Sequence, residues 1–236
     1  MKFVEKEMYT IGDLLEVMER LRAPDGCPWD REQTHRSIRQ CFLEETYEAV
    51  EAIDTDDTEL LKEELGDVLF QVVFHAQLEK EKGTFTFDDV TDGVVRKMIL
   101  RHPHVFGDVS VSGTGDVLRN WDAIKKASKH QKSQAEVLDS VAKTLPALMR
   151  AQKLRHKAAS TVPVTAEGCA AEAQTALAGL AGSKSDANKE EQKALLGQLL
   201  FAAAGLADAL GVEAEEALTR ESDSFLKKVA AGEEKA

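Results

Sequence analysis

The hydrophobic residues of this chain recur every three or four positions over most of its length, which is the period of one face of a helix. In the first half this pattern predicts helices at 11–21, 34–53, 58–82, 86–100 and 117–129. No stretch alternates between apolar and polar residues in the way that a half-buried strand does. The sequence therefore predicts an all-α fold with little or no sheet.

Capping and breaking residues set the predicted ends of these helices. A loop at 23–30 contains two prolines and a glycine, which stop the first helix. We expect Asp57 or Thr58 to cap the start of the 58–82 helix, and Gly83 to end that helix. Thr86, with Asp89 three residues later, resembles a capping box for the next helix.

Two carboxylate pairs interrupt the apolar faces of neighbouring predicted helices. Glu45 and Glu48 lie three residues apart on one helix, and Glu64 and Asp67 are spaced in the same way on the next. Residues at this spacing share a helix face. Unpaired carboxylates on a buried face are unfavourable unless a positive group neutralises them. A hard divalent cation held by oxygen ligands would do so, and magnesium is the natural candidate.

Two other interpretations compete with a magnesium site. Acid-rich helices usually face solvent, but here both pairs lie within apolar stripes, and the nearest lysine, Lys62, precedes the turn that begins at Glu64. A di-iron carboxylate bundle needs two Glu-x-x-His elements. The chain has this spacing at Glu32 and His35, outside the acid turns. The pattern as a whole favours magnesium.

Composition narrows the partners and the compartment. A net charge of −12 and a pI near 5.0 argue against duplex nucleic acid as a partner. The three cysteines lack zinc spacing, which favours a reduced compartment. The N-terminus lacks the apolar run of a signal peptide, and no segment is expected to approach the ~18 apolar residues of a membrane span. We therefore expect a cytoplasmic protein that binds no membrane.

A second copy of the helical unit begins after about Val137. The segment 196–201 repeats 65–70 at a shift of 131 positions. The alignment also pairs each acid of the first copy with a residue of the second; opposite Glu44, Glu45, Glu48, Glu64 and Asp67 stand, in that order, Ala171, Glu172, Thr175, Leu195 and Gln198. Because one carboxylate cannot hold a magnesium ion, we expect a catalytic domain at 1–132 and a diverged, non-catalytic domain at 133–236.

The motifs around the acids resemble those of the MazG nucleoside triphosphate pyrophosphohydrolases, in the all-α NTP pyrophosphatase superfamily. The resemblance includes Glu-Glu-x-x-Glu at 44–48, the segments 64–76 and 101–108, and Gly-Cys-Pro-Trp-Asp at 26–30. It is dense over about 8–130 and looser beyond. It implies magnesium-dependent hydrolysis of a nucleoside triphosphate between the α and β phosphates, which releases a monophosphate and pyrophosphate, in a house-cleaning or nucleotide-pool role.

The resemblance also implies roles for the acids. Glu45, Glu48, Glu64 and Asp67 are expected to be the magnesium ligands, with manganese as a substitute ion. Glu44 either supports these ligands or orients the attacking water. Since four acids exceed the charge of one ion, more than one magnesium is expected once the triphosphate binds.

Further residues are implied to bind the nucleotide. Lys97 and Arg101, spaced i and i+4, are expected to face the triphosphate; the alternative is a solvated basic edge. Trp121 is expected to stack on the base with Lys125 near the phosphates, and the alternative for Trp121 is a hydrophobe that caps the last helix. Trp29 either lines the base pocket or staples its loop to the bundle, and the second interpretation is favoured.

A homodimer is the assembly that the resemblance implies. Helices of two chains would complete each site, so the expected architecture is a pair of tandem MazG-like bundles of four-helix type, assembled through dimerisation. The alternative function is a non-catalytic helical interaction protein with a structural cation. That alternative leaves Lys97, Arg101 and Trp121 without a role.

Overall fold

The computed structural model describes residues 5–128, 133–182 and 189–233. Within these ranges all regular structure is helical and no strand is present, which confirms the all-α prediction. The chain separates by its contacts into two compact units, 1–124 and 125–236.

The described residues of the first unit form a series of helices joined by short connections. They are α1 (Ile11–Arg22), α2 (Pro28–Glu32), α3 (Arg39–Asp54), α4 (Thr58–Lys82), α5 (Phe87–Arg101), α6 (Pro103–Phe106) and most of α7 (Thr114–Ser128). Every helix predicted for this half is present. Because three residues separate α3 from α4, these two helices pack as an antiparallel hairpin.

Two helix starts differ from the predictions. The expected loop at 23–30 contains the start of α2, with Pro28 at its first position, where a missing N–H is tolerated. Helix α3 begins at Arg39 rather than at 34. The backbone N–H of Thr34 donates to Ser37 Oγ at 2.8 Å, and that of Ser37 donates to Thr34 Oγ1 at 3.2 Å. These hydrogen bonds to side chains take the place of the backbone hydrogen bonds of a helix, so α3 begins later in the sequence than predicted.

The predicted caps of α4 and α5 are confirmed. Asp57 accepts a hydrogen bond from the backbone of Leu60 at 3.0 Å. Gly83 adopts a left-handed conformation, with φ of 71°, at the end of α4. Thr86 and Asp89 form the complete capping box of α5.

The core of the first unit lies along the second half of α4. Its fully buried members come from α1, the turn before α3 and α4; they are Met18, Ile38, Val73, Phe74 and Leu78. Leu14, Leu15, Phe70 and Phe87 pack around them. The first half of α4 lies outside this cluster, and that half contains the acid turn.

The second unit has a similar layout in its described residues. Its helices are α8 (Gln134–Asp139), α9 (Ala147–Ala158), α10 (Ala166–Gly182), α11 (Lys189–Leu210) and α12 (Ala214–Glu233). Helices α10 and α11 pack side by side, and α9 packs on α11. Small buried residues let these helices approach closely, among them Cys169, Ala176, Ala202 and Ala204.

Helix α11 is long and apolar enough to cross a membrane, judged by length and composition alone. Its best window has a mean hydropathy of 1.4, so the expectation that no segment approaches a membrane span is wrong by this measure. One such helix is weak evidence, because core helices of soluble proteins pass the same test. Helix α11 packs against α9 and α10, but only 17% of this window is buried.

Candidate active site

Three carboxylates meet where α3 passes the first half of α4. One oxygen from each of Glu45, Glu48 and Glu64 lies within 4.8 Å of the other two. Glu64 is only 7% exposed, Glu45 is half-buried and Glu48 is exposed. The i and i+3 spacing on α3 and the tight α3–α4 connection bring the group together. We name these three residues the acid cluster.

The acid cluster has an excess of negative charge. Burial raises the pKa of Glu64, and the charges of Glu48 and Asp67 raise it further. The pKa of Glu45 is raised by the same causes, burial first and then Asp67 and Glu48, while a hydrogen bond from Gln71 opposes the rise. Each raised pKa means that the folded protein disfavours the ionised form.

Two buried oxygens at this site lack a hydrogen-bond partner among the described residues. They are Glu64 Oε2 and Gln71 Oε1. A buried polar atom without a partner is costly, and a cation bound by the acid cluster would satisfy both the charge and the orphaned oxygen of Glu64. The donors are all oxygen atoms, which suits a hard ion such as magnesium. The residues present therefore fit the metal that the sequence implied.

The other two predicted acids lie at the margin of the cluster. Asp67 is exposed and falls outside the group of three, although its charge raises the pKa of both Glu45 and Glu64. Glu44 is exposed and accepts a hydrogen bond from Gln40 Nε2 at 3.2 Å. The structure thus assembles three of the four expected ligands and leaves Asp67 one helical turn beyond Glu64.

The predicted nucleotide-binding residues lie on α5 and α7. Lys97 is exposed, and Arg101 is half-buried in the last turn of α5. The Arg101 guanidinium stacks over the Trp121 ring, 5.0 Å from its centre, a contact that the sequence analysis did not anticipate. The side chain of Lys125 lies outside the described residues. The Trp29 ring is 60% exposed, which does not support the stapling role.

Sequence reasoning missed Gln71. This residue is 7% exposed and lies close enough to Glu45 to lower the pKa of that carboxyl. A signal was present in the sequence, because Gln71 follows Asp67 by four positions and Glu64 by seven, which places all three on one face of α4. The amide was overlooked because it stands in an otherwise apolar run.

A histidine pair lies further along α4. His75 is half-buried, and its Nδ1 is 2.7 Å from Nδ1 of His35. His35 Nε2 is 2.6 Å from Glu79 Oε1. Hydrogen bonds from Lys82, Thr84 and His35 hold the pKa of Glu79 at about 2. Burial, and then the charge of His35, lower the pKa of His75, so this position disfavours a charged His75 ring.

Comparison with known proteins identifies the family to which this sequence is similar. A family model described as the MazG nucleotide pyrophosphohydrolase domain matches residues 33–106. A nucleoside triphosphate pyrophosphohydrolase of Escherichia coli (strain K12) is 41% identical over 225 residues, which cover 92% of this chain and 85% of that protein.

Two further similar proteins align with different shares of this chain and of their own length. The uncharacterized protein YabN of Bacillus subtilis (strain 168) is 46% identical over 98% of this chain, but the chain spans only 48% of YabN. A crystal structure of a MazG-related protein from Thermotoga maritima is 25% identical, covers 49% of this chain and 98% of its own, and has a TM-score of 0.43. The identity and coverage of the E. coli relative confirm the resemblance seen in the sequence: the chain belongs to the MazG nucleotide pyrophosphohydrolase family.

Proposed function

We propose that the first unit hydrolyses nucleoside triphosphates between the α and β phosphates, with magnesium held by Glu45, Glu48, Glu64 and Asp67. The observation that supports this most directly is the acid cluster, in which a buried oxygen of Glu64 has no partner among the described residues. The name of the E. coli relative gives the same activity. A house-cleaning or nucleotide-pool role and a cytoplasmic location belong to this proposal.

The residues of the chain have distinct tasks in this reaction. When bound, the metal supplies positive charge to the phosphates and lowers the pKa of a bound water. Glu45, Glu48 and Glu64 fix its position, and Gln71 holds Glu45 in place. Asp67, one turn beyond Glu64, would complete the ligand set as its fourth carboxylate. Placed beside Glu45 on α3, Glu44 is suited to orient the attacking water.

The nucleotide would be held by the α5 and α7 residues. Lys97 and Arg101 lie one turn apart and supply positive charge for the phosphates. Trp121 offers a ring on which a base can stack, and stacking tolerates different bases. The Arg101 guanidinium already lies over this ring, which keeps the cation and the stacking surface together. Lys125, one turn after Trp121, is assigned to the phosphates.

A product assay tests the proposal. The full chain should release pyrophosphate and a monophosphate from a triphosphate with magnesium, and neither product in EDTA. Glu64→Gln should lose this activity. The matched control is Glu59→Gln on the same helix, because the Glu59 side chain is 88% exposed and pairs with Lys62. Release of orthophosphate with a diphosphate would contradict cleavage between α and β, and no turnover by wild type would favour a non-catalytic interaction protein.

We also propose that a second copy of this chain covers the outer face of the α3–α4 hairpin and completes a four-helix bundle. This face exposes large apolar side chains: Tyr47 56%, Val50 45%, Ile53 57%, Leu65 55% and Leu69 39%. An apolar patch of this kind marks an interaction surface. Light scattering should give a dimer mass for wild type and a monomer mass for Ile53→Glu. Lys62→Glu, at an 80% exposed side chain, should stay dimeric, and a monomeric wild type would overturn the assignment.

Finally, we propose that the second unit is a diverged, non-catalytic copy of the first. Support comes from the same sequence of features at the end of each hairpin. Helix α4 is followed by Gly83 with φ of 71° and then by α5, and helix α11 is followed by Gly211 with φ of 69° and then by α12. Of the five aligned acids only Glu172 is kept, and one carboxylate is not a ligand set for magnesium.

A further inference from the structure

An open cavity of about 450 Å³ lies in the second unit, at positions aligned with the acids of the first copy. Six residues of α10 and α11 line it: Gly168, Ala171, Glu172, Thr175, Gln198 and Phe201. Ala171, Glu172, Thr175 and Gln198 stand opposite Glu44, Glu45, Glu48 and Asp67 in the alignment. The volume falls within the roughly 300–1,000 Å³ of small-ligand pockets. Positions that hold acids in the first unit therefore line a cavity of different chemistry in the second.

The remaining carboxylate of this cavity is neutralised from within the protein. Arg155 of α9 is 8% exposed, and its Nη2 donates to Glu172 Oε2 at 2.6 Å and to Cys169 Sγ at 3.0 Å. The Glu172 side chain lines the cavity and is 53% exposed, so Arg155 leaves part of this carboxylate accessible. A divalent cation would meet a single carboxylate that already has a counter-ion, which excludes magnesium as the occupant.

The packing around Arg155 keeps this arrangement in place. The guanidinium lies over the Phe201 ring, 5.1 Å from its centre. Gly205 makes room for it, because a Cβ on Gly205 would overlap the guanidinium. The buried guanidinium of Arg155 thus holds the Phe201 ring in place, and Phe201 lines the cavity. It also lines a neighbouring cavity of about 290 Å³, whose other residues are mainly aliphatic.

The lining offers an aromatic ring and hydrogen-bond acceptors. None of the six lining residues is a lysine or an arginine, so polyphosphate finds no cation there. The Thr175 hydroxyl donates to the Ala171 carbonyl at 2.8 Å, which leaves its lone pairs for a ligand. The Glu172 carboxylate only accepts, and the Gln198 amide both accepts and donates. The complementary ligand is a planar ring with N–H donors along one edge.

We propose that this cavity binds a nucleobase, presented as a nucleoside, without a metal ion. The base would stack against Phe201 and direct its N–H groups to Glu172 and Gln198. Guanine fits best, since its ring N–H and its amino group are adjacent donors, one for the Glu172 carboxylate and one for the Gln198 amide oxygen. The choice of a nucleobase over other heterocycles rests on the proposed function, because the cavity belongs to a copy of a unit assigned to nucleotides.

Calorimetry with guanosine in EDTA tests the inference on the full chain. This probe lacks phosphates, and EDTA removes the metal that the first unit needs. We expect saturable binding to wild type, weakened at least tenfold in both Glu172→Gln and Gln198→Leu. Gln174→Leu, an exposed amide on α10 outside the cavity, is the matched control and should bind normally. Trp121→Leu, which removes the stacking surface of the first unit, identifies any guanosine that binds there instead.

The outcomes separate this inference from the proposed function. Absence of saturable binding to wild type would overturn it, and so would binding that Trp121→Leu abolishes while both cavity variants retain it. Thermal melting shows whether each variant folds; if Gln198→Leu does not, Glu172→Gln decides, since its amide oxygen still accepts from Arg155. Pyrophosphate release by the same preparations is measured separately, so a failure of nucleoside binding leaves the catalytic proposal standing, and the reverse also holds.

Discussion

The α3–α4 and α10–α11 hairpins have a similar layout, but their acidic side chains are neutralised to different extents. In the α3–α4 hairpin, Glu45, Glu48 and Glu64 converge without enough positive charge, and Glu64 has a buried oxygen that lacks a partner among the described residues. In the α10–α11 hairpin, Glu172 is paired with the buried Arg155. Unmet charge at one site and internal neutralisation at the other indicate which hairpin requires a cation.

Removing a carboxylate charge should affect turnover strongly in the first hairpin and hardly at all in the second. Glu64→Gln should lower turnover by roughly a thousandfold or more, because metal-bound charge stabilisation contributes several kcal/mol and each 1.36 kcal/mol is about tenfold in rate. Glu172→Gln should stay within about twofold of wild type, since its effect on any rate is indirect. Steady-state pyrophosphate release measures both. Equal losses in the two variants would remove the asymmetry.

Removing other acids of the first hairpin should separate activity from stability. Asp67→Ala and Glu45→Ala should each lower turnover by roughly a hundredfold or more. Without magnesium their melting temperatures should hold or rise, since one source of mutual repulsion is gone. Near-normal turnover in either variant would refute its assignment as a ligand, and a large drop in metal-free melting temperature would show that the acid stabilises the apo fold.

A matched pair of glycine substitutions on α11 tests the packing of Arg155. Gly205→Ala should destabilise the second unit by about 1–3 kcal/mol, because the new Cβ overlaps the guanidinium. Gly197→Ala meets no atom within 4 Å and should stabilise the helix by about 0.5–1 kcal/mol. Chemical denaturation measures both changes. If Gly205→Ala were as stable as wild type, Arg155 would not be held against α11 in the way described.

The smallest expected effect is on how the stability of the metal-free protein depends on pH. The pKa of Glu64 and of Glu45 is raised above the ordinary value of 4.5 in the folded state, so the folded state binds more protons than the unfolded state in that range. The free energy of unfolding should therefore fall as pH rises above about 4.5. Melting in EDTA over this window should show the fall, and Glu64→Gln should reduce its slope. An unchanged slope would mean that Glu64 titrates normally.

Local patterns in the sequence were sufficient to predict much of the fold. The apolar period predicted the long helices, and the side chains of Thr86 and Asp89 were enough to predict the start of α5, because a capping box depends on residues three positions apart. The acid cluster was predicted for the same reason, since the i and i+3 spacing and a short connection decide which carboxylates meet.

Features that depend on distant segments were not predictable in this way. The contact of Arg101 with Trp121 depends on the path between α5 and α7, and the pairing of Arg155 with Glu172 joins α9 to α10. Neither has a local spacing signal. The start of α3 was misplaced because the bonds between Thr34 and Ser37 compete with a helix that the apolar period alone favours.

Metal titration is the most direct test of the inequality between the two units. Calorimetry with magnesium and a non-hydrolysable triphosphate should give tight binding to wild type and to Glu172→Gln, with the same number of ions per chain. Glu64→Gln should show no tight binding, because the second unit offers only the paired Glu172, Thr175 and Gln198 in place of the acids. Tight magnesium binding that persists in Glu64→Gln and disappears in Glu172→Gln would contradict the account.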